Sequence, residues 1–263
     1  MRLGLGLSLF LVSLLPWPAQ AGPPPGPDKP LVGARMAQPE LDAAAIVARA
    51  TAHAGGETWR RPVTLYLEGY GTFYDPDGKP LVNESHRMWR VYPDFKPQAH
   101  QADGKVRIES RRDGKIVTLL TFDGTRSYGP DGVLPPSAAD RQWAENFGFG
   151  VIRFARDPGY RLARHADDLV DGQPVYRIEV TDPTGAKTLF GIAYRDYAIL
   201  SVGFATPRGW HERIYSDFYT KPGLSWVQPG RIRLYYNGIK QNEIVWRDFK
   251  LNEPMPDGLF TVP

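Results

Sequence analysis

Asp-Gly stands at positions 77–78, 103–104, 113–114, 123–124, 131–132, 171–172 and 257–258, and Asn-Gly at 237–238. These dipeptides tolerate the positive φ that tight hairpins demand. Most of them separate stretches in which apolar residues recur at every second position. Val63, Leu65 and Leu67 alternate with Thr64, Tyr66 and Glu68. Val106 and Ile108 alternate with Arg107 and Glu109. Tyr176, Ile178 and Val180 alternate with Arg177 and Glu179, and Ile232, Leu234 and Tyr236 with Arg231 and Arg233. Each stretch has the pattern of a half-buried antiparallel strand. Candidate strands cover 62–75, 84–93, 97–102, 105–111, 114–122, 125–129, 160–169, 173–182, 186–196, 198–206, 208–219, 230–237 and 242–252, some of them merging to leave ten or eleven. The expected class is mainly β (α+β), with a curved antiparallel sheet around a few helices.

Two segments break the period. Pro39-Glu40 opens a helix in which Leu41, Ala45, Ala48 and Ala52 share one stripe, and Gly55-Gly56 closes it. Pro135-Pro136-Ser137 leads into a second helical stretch, with Ser137 and Asp140 spaced like a capping box. There Trp143, Phe147, Val151 and Phe154 form a narrow apolar strip. Gly148 and Gly150 each weaken the helix by roughly 1 kcal/mol, so a kinked or broken helix is expected, ending at Asp157-Pro158-Gly159.

The first residues read as an address. Arg2 precedes the apolar run Leu3 to Trp17, and Pro18-Ala19-Gln20-Ala21 carries small residues in an A-x-A pattern. This is a secretory leader with cleavage expected after Ala21. The run is too short to cross ~30 Å of hydrocarbon, and no later segment approaches a membrane span. Residues 22–38, with five prolines, read as an extended, disordered lead-in, followed by a single domain over 39–263. The chain has no cysteine. That excludes disulfides, thiolate metal sites, a cysteine nucleophile and a thioether-linked lipid anchor. A soluble periplasmic protein is the expectation.

Charge and motifs narrow the function. The balance of 32 Lys+Arg against 29 Asp+Glu gives +3, too little for an electrostatic grip on nucleic acid. The histidines, His53, His86, His100, His165 and His211, form no H-x-x-x-H or H-E-x-x-H pair. No G-x-S-x-G, S-x-x-K or phosphate loop occurs. Gly69-x-Gly71 lies within a strand pattern and reads as a bulge. No cofactor, no metal and no catalysis are expected. The aromatics number 32, two of them in the leader. They either fill the core of the sheet, or some of them line an apolar cavity between its concave face and the helical stretch around 137–156.

Four segments, in order over residues 40–263, carry a resemblance to a known family. The first is Ala52-His53-Ala54-Gly55-Gly56-Glu57-Thr58-Trp59 running into the strand Val63 to Glu68. The second is Leu119 to Tyr128, containing Phe122-Asp123-Gly124. The third is Gly172 to Val180 with Tyr194 to Asp196. The fourth is Leu251 to Pro263, with its N-x-P-x-P-x-x-L-F ending. Together they resemble the LolA-like periplasmic lipoprotein carriers, within the LolA/LolB/RseB superfamily. The resemblance implies an incomplete, strongly curved antiparallel barrel enclosing helices, with a hydrophobic cavity for acyl chains. The partner it implies is a lipid or an acylated protein, together with an inner- or outer-membrane envelope protein. The expected cavity wall is Trp143, Phe147, Val151 and Phe154 on the helix side and Leu65, Leu67, Ile108, Leu119, Tyr176 and Ile178 on the sheet side. A rival expectation is an envelope sensor that binds a protein partner through exposed aromatics such as Trp210, Tyr219 and Trp226.

Overall fold

The computed structural model describes residues 41–144 and 149–262. The leader at 1–21, the lead-in at 22–38, the helix start at Pro39-Glu40 and the expected wall residue Phe147 lie outside these.

Helix α1 spans Ala43–Ala54. Asp42 caps it, its carboxylate accepting a 2.7 Å hydrogen bond from the Ala45 amide, and Gly55 at φ 133° ends it. Its buried face is Ala43, Ile46, Val47, Ala50 and Ala54, not the stripe expected from Leu41, Ala45, Ala48 and Ala52. Ile46 and Val47 carry more apolar area than alanine, and burying them sets the rotation. A short helix α2 follows at Gly56–Arg60.

Thirteen strands then form one antiparallel sheet: β1 (Thr64–Tyr74), β2 (Pro80–Val91), β3 (Lys105–Arg112), β4 (Lys115–Phe122), β5 (Ser127–Gly129), β6 (Gly132–Val133), β7 (Arg161–Val170), β8 (Gln173–Thr181), β9 (Lys187–Ala193), β10 (Ile199–Thr206), β11 (Gly209–Ser216), β12 (Arg231–Tyr236) and β13 (Ile239–Leu251). Their order is β6-β5-β4-β3-β2-β1-β13-β12-β11-β10-β9-β8-β7. One meander grows outward from β1 to the edge at β6. The chain then crosses to the far edge at β7 and meanders back until β13 pairs with β1. The sheet is not closed into a barrel.

Turn chemistry does what the dipeptides imply. Asp113-Gly114, Asp171-Gly172 and Asn237-Gly238 have positive φ at both residues, the geometry of two-residue hairpins that match strand twist. The register shifts on both sides of Gly69, so the glycine pair marks a bulge. A Cβ at Gly69 would lie 1.9 Å from the Val245 carbonyl oxygen, and only glycine fits there.

The sequence reading departs from the structure at several places. Residues 97–102 form no strand. Pro93 and Pro97 remove ladder donors, and the loop is held instead by a 2.6 Å bond from the Ala99 amide to Asp182. The two-residue strand β6 is too short to show a period. No strands merge, so the described residues hold thirteen. Val63 is 62% exposed, because β1 begins one residue later. The described residues of the second helical stretch form α3 (Pro136–Ala144) and a 3-10 helix (Phe149–Phe154), and the expected weak point at Gly148 lies outside them. Pro136, rather than a Ser137 capping box, opens α3; its missing N–H is one that a helix start leaves unpaired in any case.

Candidate functional site

Directly opposed residues of neighbouring strands share a face, so register gives the inward set. Leu65 opposes Arg90, Leu67 opposes Met88, and these oppose Val106 and Ile108 in turn. On the other wing Val202 opposes Arg213, and Tyr215 opposes Ile232. Arg90 on β2 and Ile199 on β10 line one recess, although five strand spacings separate their strands. In a flat sheet that is about 24 Å; the sheet curls to bring them together.

The recess holds about 200 Å³ between this concave face and the helical cover. Its floor includes Leu65, Leu67, Met88, Tyr215 and Trp246. Its cover includes Trp59 from α2, Phe149 and Arg153 from the 3-10 helix, and Trp226 from the loop between β11 and β12. Phe149 joins cover to floor, edge-on to Trp59 (6.2 Å between ring centroids) and to Tyr215 (5.2 Å).

Cations stand among these apolar groups. Arg90, Lys96, Arg153 and Arg213 line the recess, and no Asp or Glu does among the described residues. Arg90 and Lys96 both pair with Asp103, the Lys96 ammonium at 2.6 Å. Lys96 also donates to the Gln101 carbonyl at 3.0 Å. Burial, and after it the charge of Arg90, pulls the Lys96 ammonium well below its ordinary range, against the opposite pull of Asp182. Burial draws Arg90 down to about 10, with Tyr92 opposing and Arg153 reinforcing the shift. The Arg153 guanidinium sits over three rings, Tyr92 at 4.6 Å, Trp59 at 5.0 Å and Trp226 at 5.3 Å.

Of the expected wall, Leu65 and Leu67 line this recess. Val151, Tyr176 and Ile178 instead fill the core, with the Tyr176 ring tilted against Tyr194 at 4.3 Å. Phe154 is buried edge-on to Phe95. Ile108 is half-buried on the concave face, off the recess. Leu119 opposes Glu109 and so lies on the convex face. Its strand carries apolar residues on both faces, Leu120 and Phe122 inward, which hides the phase. Trp143 donates to the Ser127 hydroxyl at 2.6 Å and lines a separate hollow of about 790 Å³ near β5. Trp226 is buried in the recess, while Trp210 and Tyr219 are only partly exposed. No exposed patch forms from these three. Sequence reasoning missed Trp59, Met88, Phe149, Arg153, Tyr215 and Trp246. Their signal was weak: Met88 lies in a strand with several polar inward neighbours, and Phe149 and Arg153 follow a break in the helical period.

The histidines are dispersed. His53 lines the recess. His86 packs against Trp246 (5.1 Å) and shares a 2.7 Å hydrogen bond with Ser110, and burial takes it down to about 4. His100 and His211 sandwich Phe204, and burial takes His211 down to about 2. Among the described residues no cluster of three His, Cys, Asp or Glu could hold a metal ion, and no helix is long and apolar enough to cross a membrane.

No family model matches the sequence, and no curated protein matches it. Solved structures do. A domain from Vibrio parahaemolyticus assigned to outer membrane lipoprotein sorting matches with a TM-score of 0.52 at 11% identity, over 82% of this chain and 94% of that one. A LolA superfamily protein from Nitrosomonas europaea matches with a TM-score of 0.51 at 14% identity, over 84% of this chain and 98% of that one. The fold is LolA-like. A DUF1329 family protein from Desulfovibrio piger shares it, with a TM-score of 0.56 at 14% identity over 83% of this chain and 96% of that one. In the LolA-like sheet of this chain the recess lies where β1, β2 and β13 face the returning strands β10 to β12.

Proposed function

We propose that this protein is a periplasmic binder and carrier of a hydrophobic ligand, a lipid or the acyl chain of a lipoprotein, held in the concave recess. The leader read at residues 1–21 exports it, and the domain at 39–263 does the binding. The observation that carries this reading is the half-enclosed recess of about 200 Å³, walled by Leu65, Leu67, Met88, Phe149 and Trp246. A cavity of roughly 150 Å³ suffices for a benzene ring, so the recess takes a short apolar stretch and a longer chain extends through its open side. Each CH₂ leaving water contributes ~0.8 kcal/mol, which supports binding without a specific polar contact. Carriage, rather than catalysis, is also what the names of the matched lipoprotein-sorting and LolA superfamily structures suggest.

The test is a titration with a neutral solvatochromic dye, Nile red. Saturable binding with a blue-shifted emission, reversed by added phospholipid, is expected. A protein that leaves the dye spectrum unchanged would refute ligand carriage.

A further inference from the structure

We infer that the ligand is an anionic amphiphile, whose carboxylate or phosphate headgroup is received by the Arg153 guanidinium while its chain occupies the apolar floor. This rests on the reading that the recess binds an acyl chain.

Arg153 is 6% exposed, and its Nε and Nη1 are buried without a hydrogen-bond partner among the described residues. The guanidinium lies over the rings of Trp59, Tyr92 and Trp226. Rings attract a cation through their faces, but they accept no N–H bond of normal strength. A buried guanidinium with open donors is costly to hold unless something accepts from it. Among the described residues the recess lining adds no anion. The charges that the described residues bring to the recess lining are all positive, and Arg90 and Lys96 both pair with the carboxylate of Asp103. Burial first, and the charge of Arg90 after it, lower the Lys96 ammonium against the pull of Asp182; the Arg90 contribution is the one that positive charge in the recess supplies. A neutral ester or alcohol offers a lone pair without charge. A carboxylate or phosphate offers both, in the geometry a guanidinium recognises best. The ring cage fixes the guanidinium in advance, which lowers the ordering cost of the contact.

The experiment displaces Nile red from the purified protein with three sixteen-carbon competitors: palmitate, hexadecyl phosphate and hexadecanol. At least one anion is expected to displace the dye at a concentration about ten-fold or more below that of hexadecanol. The two anionic arms separate a carboxylate from a phosphate source. Arg153→Gln is expected to abolish the anion's advantage, so that anions and hexadecanol displace the dye from the variant at similar concentrations. A second readout needs no variant. If palmitate is a ligand, its ¹³C-labelled carboxyl should stay ionised below its ordinary titration range when bound; if hexadecyl phosphate is the ligand, its ³¹P signal should shift its second ionisation downward. Equal displacement by alcohol and anions, a headgroup titrating at or above its ordinary value, or an anion preference kept by a folded Arg153→Gln would each overturn the inference while leaving acyl binding intact. Failure of the dye itself to bind would instead remove the reading beneath it.

Discussion

The concave face of this sheet is filled on one wing and open on the other. Under β8 to β10 the inward positions are Tyr176, Ile178, Phe190, Ile192 and Val202, each at most 1% exposed. They meet as cross-strand pairs, Ile178 with Phe190 and Phe190 with Val202. These strands are buried on both sides, since Val170, Val175, Ala193, Ala198 and Leu200 form a second cluster behind them. Where β1 and β2 face β11, the inward positions alternate hydrophobes with His86, Arg90 and Arg213. An apolar pair closes on itself because contact removes water from both partners. Two inward cations cannot close on each other. Arg90 is instead satisfied by Asp103, and no apolar contact takes its place. Inwardness therefore says where a core is available, and the residue types at inward positions decide whether it closes.

The sharpest way to break the comparison is to delete volume on each wing. Phe190→Ala removes a fully buried ring that packs against Phe149 and is expected to cost about 3–5 kcal/mol, transfer plus cavity. Met88→Ala removes atoms that already border the recess and leaves little new void, so about 1 kcal/mol is expected. Urea unfolding with unchanged slope measures both. Equal losses would mean that the two wings are packed alike.

Protonation gives the next largest effect. His86 occupies an inward position on the open wing, between Phe73 and Trp246, and burial takes it from 6.5 to about 4. The folded state binds the proton less readily than the unfolded chain. The stabilisation is thus complete above about pH 6.5 and is lost as pH falls toward 4, amounting to about 3 kcal/mol. His86→Gln should show a shallower fall in stability between pH 7 and pH 4 than the unaltered protein. Identical pH profiles would show that His86 is already solvated and that the open wing reaches further than the recess.

The two wings were not equally legible. Period and turn dipeptides located twelve of the strands, because alternation and positive-φ pairs are local properties of the chain. The bulge at Gly69 was legible for the same reason. Which inward residues meet across the sheet was not. Tyr176 and Ile178 alternate as clearly as Leu65 and Leu67, and all four join one core, yet only the second pair also borders the recess. That difference is set by pairing between segments more than a hundred residues apart, such as β1 with β13. Leu119 shows the limit of alternation itself, since Leu119 and Leu120 are both apolar and only the pairing with Glu109 decides the face. Arg153 was invisible as a site residue because its environment comes from three distant rings, Trp59, Tyr92 and Trp226.

The smallest expected effect sharpens the comparison from outside. On the face of β8 opposite Ile178, Glu179 pairs with Lys187 at 3.1 Å and stands 3.5 Å from His165. The lysine side chain is 66% exposed. Such a pair gains little in water, pays side-chain entropy and is screened by salt. Lys187→Ala should therefore change stability by less than about 0.5 kcal/mol, and adding salt should erase even that. Phe190, on β9 like Lys187 but inside, should outweigh it several-fold under the same urea protocol. If Lys187→Ala instead costs as much as Met88→Ala, the outer rim of the filled wing contributes to its closure. Burial of the inward pairs would then be an incomplete account of why that wing is shut and the other is not.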